Sequence, residues 1–285
     1  MAGAGDAPVG VFDSGVGGLT ILAELRRALP DERFIYFGDT GNCPYGVRPV
    51  SEIQELSRNA AQFLLARGAK LIVVACNTAS VSALAHLRER FPGVRFVGVV
   101  PAIKPAAERT KVGIVGIAAT EASAHGDHLK RLILDHAHGV EVLAVGCPRL
   151  VLLAEAGQFD GDEVETAVRD YIQPMLAAGI DKLVLGCTHF PAMRAVFERV
   201  AGPGIEIIDS GAAIARQTRR VLAEERLLAP TNDRPPNAVV TPRASDQFWC
   251  SGDAEHFSRV ATALLGTPIL GHQAPDMILP PVGAR

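Results

Sequence analysis

Two cysteines in matched settings are the residues of this chain best placed for chemistry. Cys76 ends the apolar run LIVVAC and is followed by Asn77, Thr78, Ala79 and Ser80; Cys187 ends KLVLGC and is followed by Thr188, His189, Phe190 and Pro191. An aliphatic run bounded by small polar residues reads as a buried parallel strand, which puts each thiol at a strand's carboxyl end, where open α/β sheets hold ligands. The polar residues beyond each cysteine read as a helix start, whose free N–H groups bind carboxylates and lower a thiol's pKa. One such cysteine alone reads most often as a small buried hydrophobe. Two in matched contexts point to a site with a thiol on each side. An unassisted thiol, with a pKa of about 8.5, is only ~3 % thiolate at pH 7, so an acid–base neighbour is needed. Asp13, Glu155 and His189 are the candidates. Taken alone, they read as a turn residue, a solvated helix-end charge and a capping histidine.

Other chemistries fit the residues less well. Zinc sites use ligand pairs at short spacing, and Cys76, Cys187 and His189 offer none; a disulfide redox pair would need a local CxxC. Pyridoxal phosphate needs a lysine in the pocket. The five lysines include Lys70 and Lys182 at the starts of the cysteine-bearing strands, roughly 15–20 Å from their ends at the rise of an extended strand. The turn VFDSGVGGL at 11–19 lacks the GxGxxG spacing of a dinucleotide loop, its glycines being Gly15, Gly17 and Gly18. Glycines there allow close backbone approach to a small anion, with Asp13 and Ser14 directed at it. The segment GDTGNCPYG at 38–46 reads as a turn covering a substrate, or as a plain surface turn.

The elements that must position these groups alternate along the chain. Strands are predicted at 9–13, 33–39, 71–76, 95–100, 111–117, 140–147, 182–187 and 205–209, with helices at 18–29, 51–67, 79–90, 121–135, 162–178, 191–200 and 211–226. Such alternation predicts an α/β fold of mostly parallel sheets flanked by helices. VGVFDS at 9–14 resembles VGIVGI at 112–117, which suggests two similar halves. The predicted division is a first domain of residues 1–98 with 208–285 and a second of 99–207, joined through VVPAIKPAAERT, with the site in the cleft between them. Past Leu228, APTNDRPPN reads as a loop, QFWCSGDAEHFSRVATALLG as a strand and a helix capped by Ser251 or Asp253, and the tail from His272 as partly disordered.

Bulk properties narrow the class. The chain has 285 residues, 48 % hydrophobic and 21 % charged, with a formal net charge of −3. That balance gives no basic footprint for nucleic acid, and no apolar run is long enough to span a bilayer. Five cysteines without CxxC spacing, and an N-terminus unlike a signal peptide, read as reduced thiols in a cytoplasmic protein.

Four motifs in order, FDSGVGG (12–18), PYG (44–46), CNTAS (76–80) and LGCTHFP (185–191), give a further reading. Together they resemble glutamate racemase, of the aspartate/glutamate racemase superfamily, from about Val9 to Leu228. The resemblance implies a cofactor-independent enzyme, without metal, that interconverts L- and D-glutamate and supplies D-glutamate for peptidoglycan. It implies that Cys187 deprotonates L-glutamate and Cys76 D-glutamate, from opposite faces of Cα. Asp13 is expected to assist Cys76, and His189 with Glu155 to assist Cys187. Substrate contacts carry over to Asp13, Ser14, Pro44, Tyr45, Gly46, Asn77, Thr78, Thr120, Thr188 and His189. Ile117 stands where the family has a threonine, and Gly126 near a usual tyrosine, so one polar contact is expected to be missing. Cys43 reads as incidental. A homodimer is common in the family, and neither a nucleic-acid nor a membrane partner is expected.

Overall fold

The computed structural model describes residues 4–230 and 245–274. The chain runs β1 (Val9–Asp13), α1 (Leu19–Ala28), β2 (Phe34–Gly38), α2 (Val50–Ala66), β3 (Leu71–Val74), α3 (Asn77–Arg90) and β4 (Arg95–Gly98). It continues α4 (Ile103–Arg109), β5 (Ile114–Ala119), α5 (Glu121–His125), α6 (Asp127–His136), β6 (Glu141–Gly146), α7 (Pro148–Glu155), α8 (Asp162–Ala177), β7 (Lys182–Leu185), α9 (Arg194–Ala201) and β8 (Glu206–Ile208). It closes with α10 (Gly211–Glu224), β9 (Gln247–Cys250), α11 (Ala254–Leu265) and β10 (Gly271–Gln273).

Two sheets result, with strand orders β10-β9-β2-β1-β3-β4 and β6-β5-β7-β8, and the pairs within them are parallel. The strands β1, β2, β3 and β7 are buried along their whole length because both faces are covered. Alternate residues go to opposite layers: Val9, Val11, Leu71 and Val73 pack with α1, α10 and α11, while Phe12, Ile72 and Val74 pack with α2 and α3. In the second sheet Leu183 and Leu185 face α7, α8 and α9, whereas Val115, Ile117 and Val184 face α4 and α6. Each fully buried Val, Leu or Ile contributes about 1.5–3 kcal/mol, so shifting a strand by one residue would expose a whole layer. The chain crosses to the second sheet after β4 and returns after β8. Ser210 Oγ donates to Val100 O at 2.7 Å, tying the two crossings together.

Several elements depart from the pattern read in the sequence. The joining segment contains α4, because Pro105 falls in its first turn, where no N–H is required. The 121–135 helix is broken at Gly126, whose backbone is extended (φ −73°, ψ 151°) between α5 and α6; glycine is a poor helix former, and Asp127 opens a new helix beyond it. α7 was not anticipated, and it begins with Pro148 in its first turn. Asp253 is the cap of α11, its carboxylate accepting from Glu255 N (2.8 Å) and His256 N (3.1 Å). Where the tail was expected to loosen, Gly271–Gln273 instead pairs with β9. The predicted loop from residue 231 and the tail from 275 lie outside the described residues.

Candidate active site

The carboxyl ends of β1 and β3 in the first sheet meet those of β5 and β7 in the second. Hydrogen bonds cross this junction: Val16 N to Glu155 Oε1 (2.8 Å), Thr20 Oγ1 to Thr188 O (3.0 Å), Thr188 Oγ1 to Asp13 Oδ1 (3.3 Å) and Thr78 Oγ1 with Thr120 Oγ1 (3.3 Å). The glycine turn has a different use from the one read in the sequence. Gly15 and Gly18 give their N–H groups to Asp13 Oδ2, at 3.2 and 3.1 Å, not to an external anion. A Cβ at Gly15 would overlap the Glu155 carboxylate, and one at Gly17 would lie 2.7 Å from Thr188 Oγ1 and 2.8 Å from His189 N. The glycines admit the second half of the chain.

Cys76 caps α3, its sulfur accepting from Ala79 N and its thiol donating to Ser14 Oγ, both at 3.4 Å. The helix start pulls its pKa down through the Ala79 N–H, but that effect is outweighed. Burial and the neighbouring Asp13 charge push Cys76 up to about 12, against the opposing hydrogen bonds. The charge of Cys187 adds to the rise, so the two sulfurs sense each other. Asp13 is fully buried, and burial raises its carboxyl; the positive charge of His189 works the other way. Cys187 is followed not by an α-helix but by the single 3-10 turn Phe190–Met193, with α9 beginning at Arg194. Its sulfur lies 3.4 Å from His189 Nδ1, and His189 Nε2 bonds Glu155 Oε1. Burial opposes a charged imidazole, yet Cys187 and Glu155 outweigh it and raise His189 well above its ordinary value. Burial likewise disfavours the Glu155 charge, but His189, Val16 N–H and Cys43 more than compensate and lower it. Glu155 is thus no solvated helix-end charge: 19 % of its side chain is exposed.

The other expected contacts are placed as follows. Asn77 is buried, and its Oδ1 has no hydrogen-bond partner among the described residues. Thr120 caps α5 through Ser123 N (3.3 Å). The Tyr45 hydroxyl is engaged with Asp39 Oδ2 (2.6 Å), so Pro44, Tyr45 and Gly46 reach the junction by shape and backbone; a Cβ at Gly46 would lie 3.2 Å from Thr120 Cβ. Ile117 packs in the apolar layer with Ala102, Ile103 and Val184. Two neighbours of the site were missed in the sequence: Asp39, which also accepts from Asn42 Nδ2 (3.0 Å) and Ser251 Oγ (2.6 Å), and Cys43, whose sulfur lies within 4.8 Å of a Glu155 carboxylate oxygen. The motif GDTGNCPYG was the available signal for both. The junction is closed, leaving Cys76 5 % and Cys187 4 % exposed. The cavity of about 420 Å³ beside Thr20, Glu24, Arg194 and Asp209 contains neither thiol.

Comparisons with known proteins identify the family and the fold. The Asp/Glu/Hydantoin racemase family model matches residues 19–218. A glutamate racemase of Herpetosiphon aurantiacus is 48 % identical over 259 residues, 91 % of this chain and 98 % of that protein. The crystal structure of a Bacillus anthracis glutamate racemase isoform superposes with a TM-score of 0.82 at 30 % identity, covering 96 % of this chain and 99 % of that one. An Escherichia coli glutamate racemase, solved with L-glutamate and the activator UDP-MurNAc-ala, gives 0.80 at 35 % identity, covering 94 % and 97 %. Fold and site together define an amino-acid racemase. The chain belongs to the Asp/Glu/Hydantoin racemase family and, within it, groups with the glutamate racemases.

Proposed function

We propose that this chain interconverts L- and D-glutamate without cofactor or metal, exchanging the α-proton between two thiols, Cys76 and Cys187. The observation that carries the reading is a pair of strand-end cysteines buried at one junction, each with its own partners: Ser14 and Asp13 beside Cys76, His189 and Glu155 beside Cys187. Inversion at carbon needs a base on one face and an acid on the other. From L-glutamate, the Cys187 thiolate takes the α-proton; the C–H bond breaks, an S–H bond forms, and the electron pair passes into the substrate carboxylate. The Cys76 thiol then protonates the opposite face. Its pKa of about 12 keeps it protonated for that role, while charged His189 supplies the counter-charge beside Cys187. From D-glutamate the roles reverse, with Asp13 assisting Cys76.

Ser14, Asn77, Thr78, Thr120, Thr188 and the Pro44–Gly46 backbone hold the substrate in this reading. The unpartnered Asn77 Oδ1 supports it, because a buried acceptor without a donor costs about 1–3 kcal/mol until one arrives. The substrate ammonium is such a donor. A dry, closed junction strengthens every charge contact within it. The division into residues 1–98 with 208–285 and 99–207 would let the junction open about the two crossings. Its second boundary is supported to within a residue, since Ile208 still pairs with Val184. Supply of D-glutamate for peptidoglycan, a cytoplasmic setting and a homodimer complete the reading on the strength of the family resemblance.

The test is purified, metal-free protein incubated with L-glutamate in D2O. The expected result is decay of the circular-dichroism signal to zero with one deuteron at Cα, and turnover reduced at least ~1,000-fold in both directions by Cys76→Ser or Cys187→Ser. Full activity in either variant overturns the two-thiol roles. Binding without exchange would make the chain a binding protein, and exchange confined to another amino acid would change the substrate.

A further inference from the structure

Cys43 has no part in the proton exchange, yet it stands beside its machinery. Its sulfur stands beside the Glu155 carboxylate, which also bonds His189 Nε2. One ligand atom from each of Cys43, Glu155 and His189 lies within 4.8 Å of the other two. A sulfur, an imidazole nitrogen and a carboxylate oxygen converging in this way form the donor set of an open, three-ligand zinc site. The charge balance also fits. A divalent ion that displaces one proton from the Cys43 thiol and one from the His189 imidazole leaves the net charge of the cluster unchanged. That matters where burial makes any added charge costly. Cys43 and Glu155 are only partly buried, so the cluster has an exposed side.

We propose that Cys43, Glu155 and His189 form a site for a thiophilic divalent cation, Zn2+ or Cd2+, whose binding switches the enzyme off. The ion bonds Cys43 Sγ, His189 Nε2 and a Glu155 oxygen and releases the two protons to solvent; nothing is oxidised or reduced. It takes Glu155 away from the imidazole and fixes the ring that lies 3.4 Å from Cys187 Sγ, leaving that thiol without a mobile proton partner. Mg2+ and Ca2+, which select oxygen ligands, are excluded by the sulfur and the imidazole. The site itself follows from the donor geometry, whereas the loss of turnover rests on the role given above to Cys187 and His189.

The test titrates metal-free protein with Zn2+ against a chromophoric chelator while turnover is followed in parallel. Expected are one Zn2+ per chain, turnover lost in step with occupancy and restored by EDTA, and no effect of Mg2+. Cys43→Ser removes the sulfur ligand, and its zinc affinity falls at least ~10-fold, the scale on which even one supporting contact shifts metal binding. Cys43→Ala, checked for folding by circular dichroism, serves as the second variant. Co2+ bound to the parent chain should give a sulfur-to-metal charge-transfer band that both variants lack. Undiminished zinc affinity in the Cys43 variants would place the ion on other thiols and overturn the assignment, as would a parent chain that binds no Zn2+. Because binding is read by the chelator, a chain inactive on glutamate would still test the site.

Discussion

At Glu155 a single carboxylate bonds Val16 N–H and His189, with the Cys43 sulfur close by, and its charge helps to keep His189 protonated. Removing that charge while keeping the shape isolates its role. Glu155→Gln is expected to lower L-to-D turnover about 100-fold or more, with a smaller change in KM. The sign of the pH effect follows from the two shifts. His189 is raised above its ordinary 6.5, so its contribution to stability is complete below that pH and is lost as pH rises through the folded value. Glu155 is lowered from its ordinary 4.5, so its contribution is complete above that pH and is lost as pH falls through the folded value. The variant should therefore flatten the unfolding free energy on both flanks. Its pH–rate profile should also lose the charged-His189 form at lower pH than the parent does. An unchanged profile would separate Glu155 from the chemistry.

Among the elements, the segment 38–46 depends on a network hidden beneath it. Asp39 gathers Asn42, Tyr45 and Ser251, and Ser251 Oγ also accepts from Gly41 N at 2.9 Å. This ties the loop after β2 to the end of β9, which comes from far along the chain. Asp39→Ala leaves three buried donors without their acceptor. A loss of about 3 kcal/mol is expected, since each unsatisfied group costs about 1–3 kcal/mol and some regain water. Urea unfolding measures the loss, and a rise in KM exceeding any fall in kcat would mark displacement of Tyr45 and Gly46 from the junction. The element pattern itself was largely legible. β1, β2, β3 and β7 are short apolar runs between polar breaks. α4 was not legible, because Pro101 and Pro105 look like linker punctuation unless the second is known to fall in a first helical turn.

For the molecule as a whole, function depends on how the two sheets meet and part. Both thiols are nearly inaccessible, so in the proposed reading substrate entry needs the Thr78–Thr120 contact to separate. The motion must pass through the two crossings that Ser210 ties at Val100. Ser210→Ala should cost about 1 kcal/mol of stability, the worth of one hydrogen bond. It should also speed amide exchange in the segments around Val100 and Ser210. Because the residue touches no reacting group, kcat/KM is expected to change more than the pH–rate profile does. Exchange as slow as in the parent chain would show that the crossings are not where the molecule bends.

What the sequence by itself determined is local: strands buried on both faces, helices between them, and a thiol just beyond β3 and another just beyond β7. Those features follow from hydrophobic period and turn chemistry within a few residues, so they can be read without knowing what lies across the cleft. Tertiary structure alone decided the partnerships. Glu155 meets Val16 from 139 positions away, Gly15 and Gly17 are small because a second half of the chain presses on them, and Cys43 comes beside Glu155 only when both sheets are in place. The rise of the Cys76 pKa belongs to the same class. A helix start is visible in sequence, but desolvation is set by everything packed around it, and here desolvation is the larger effect.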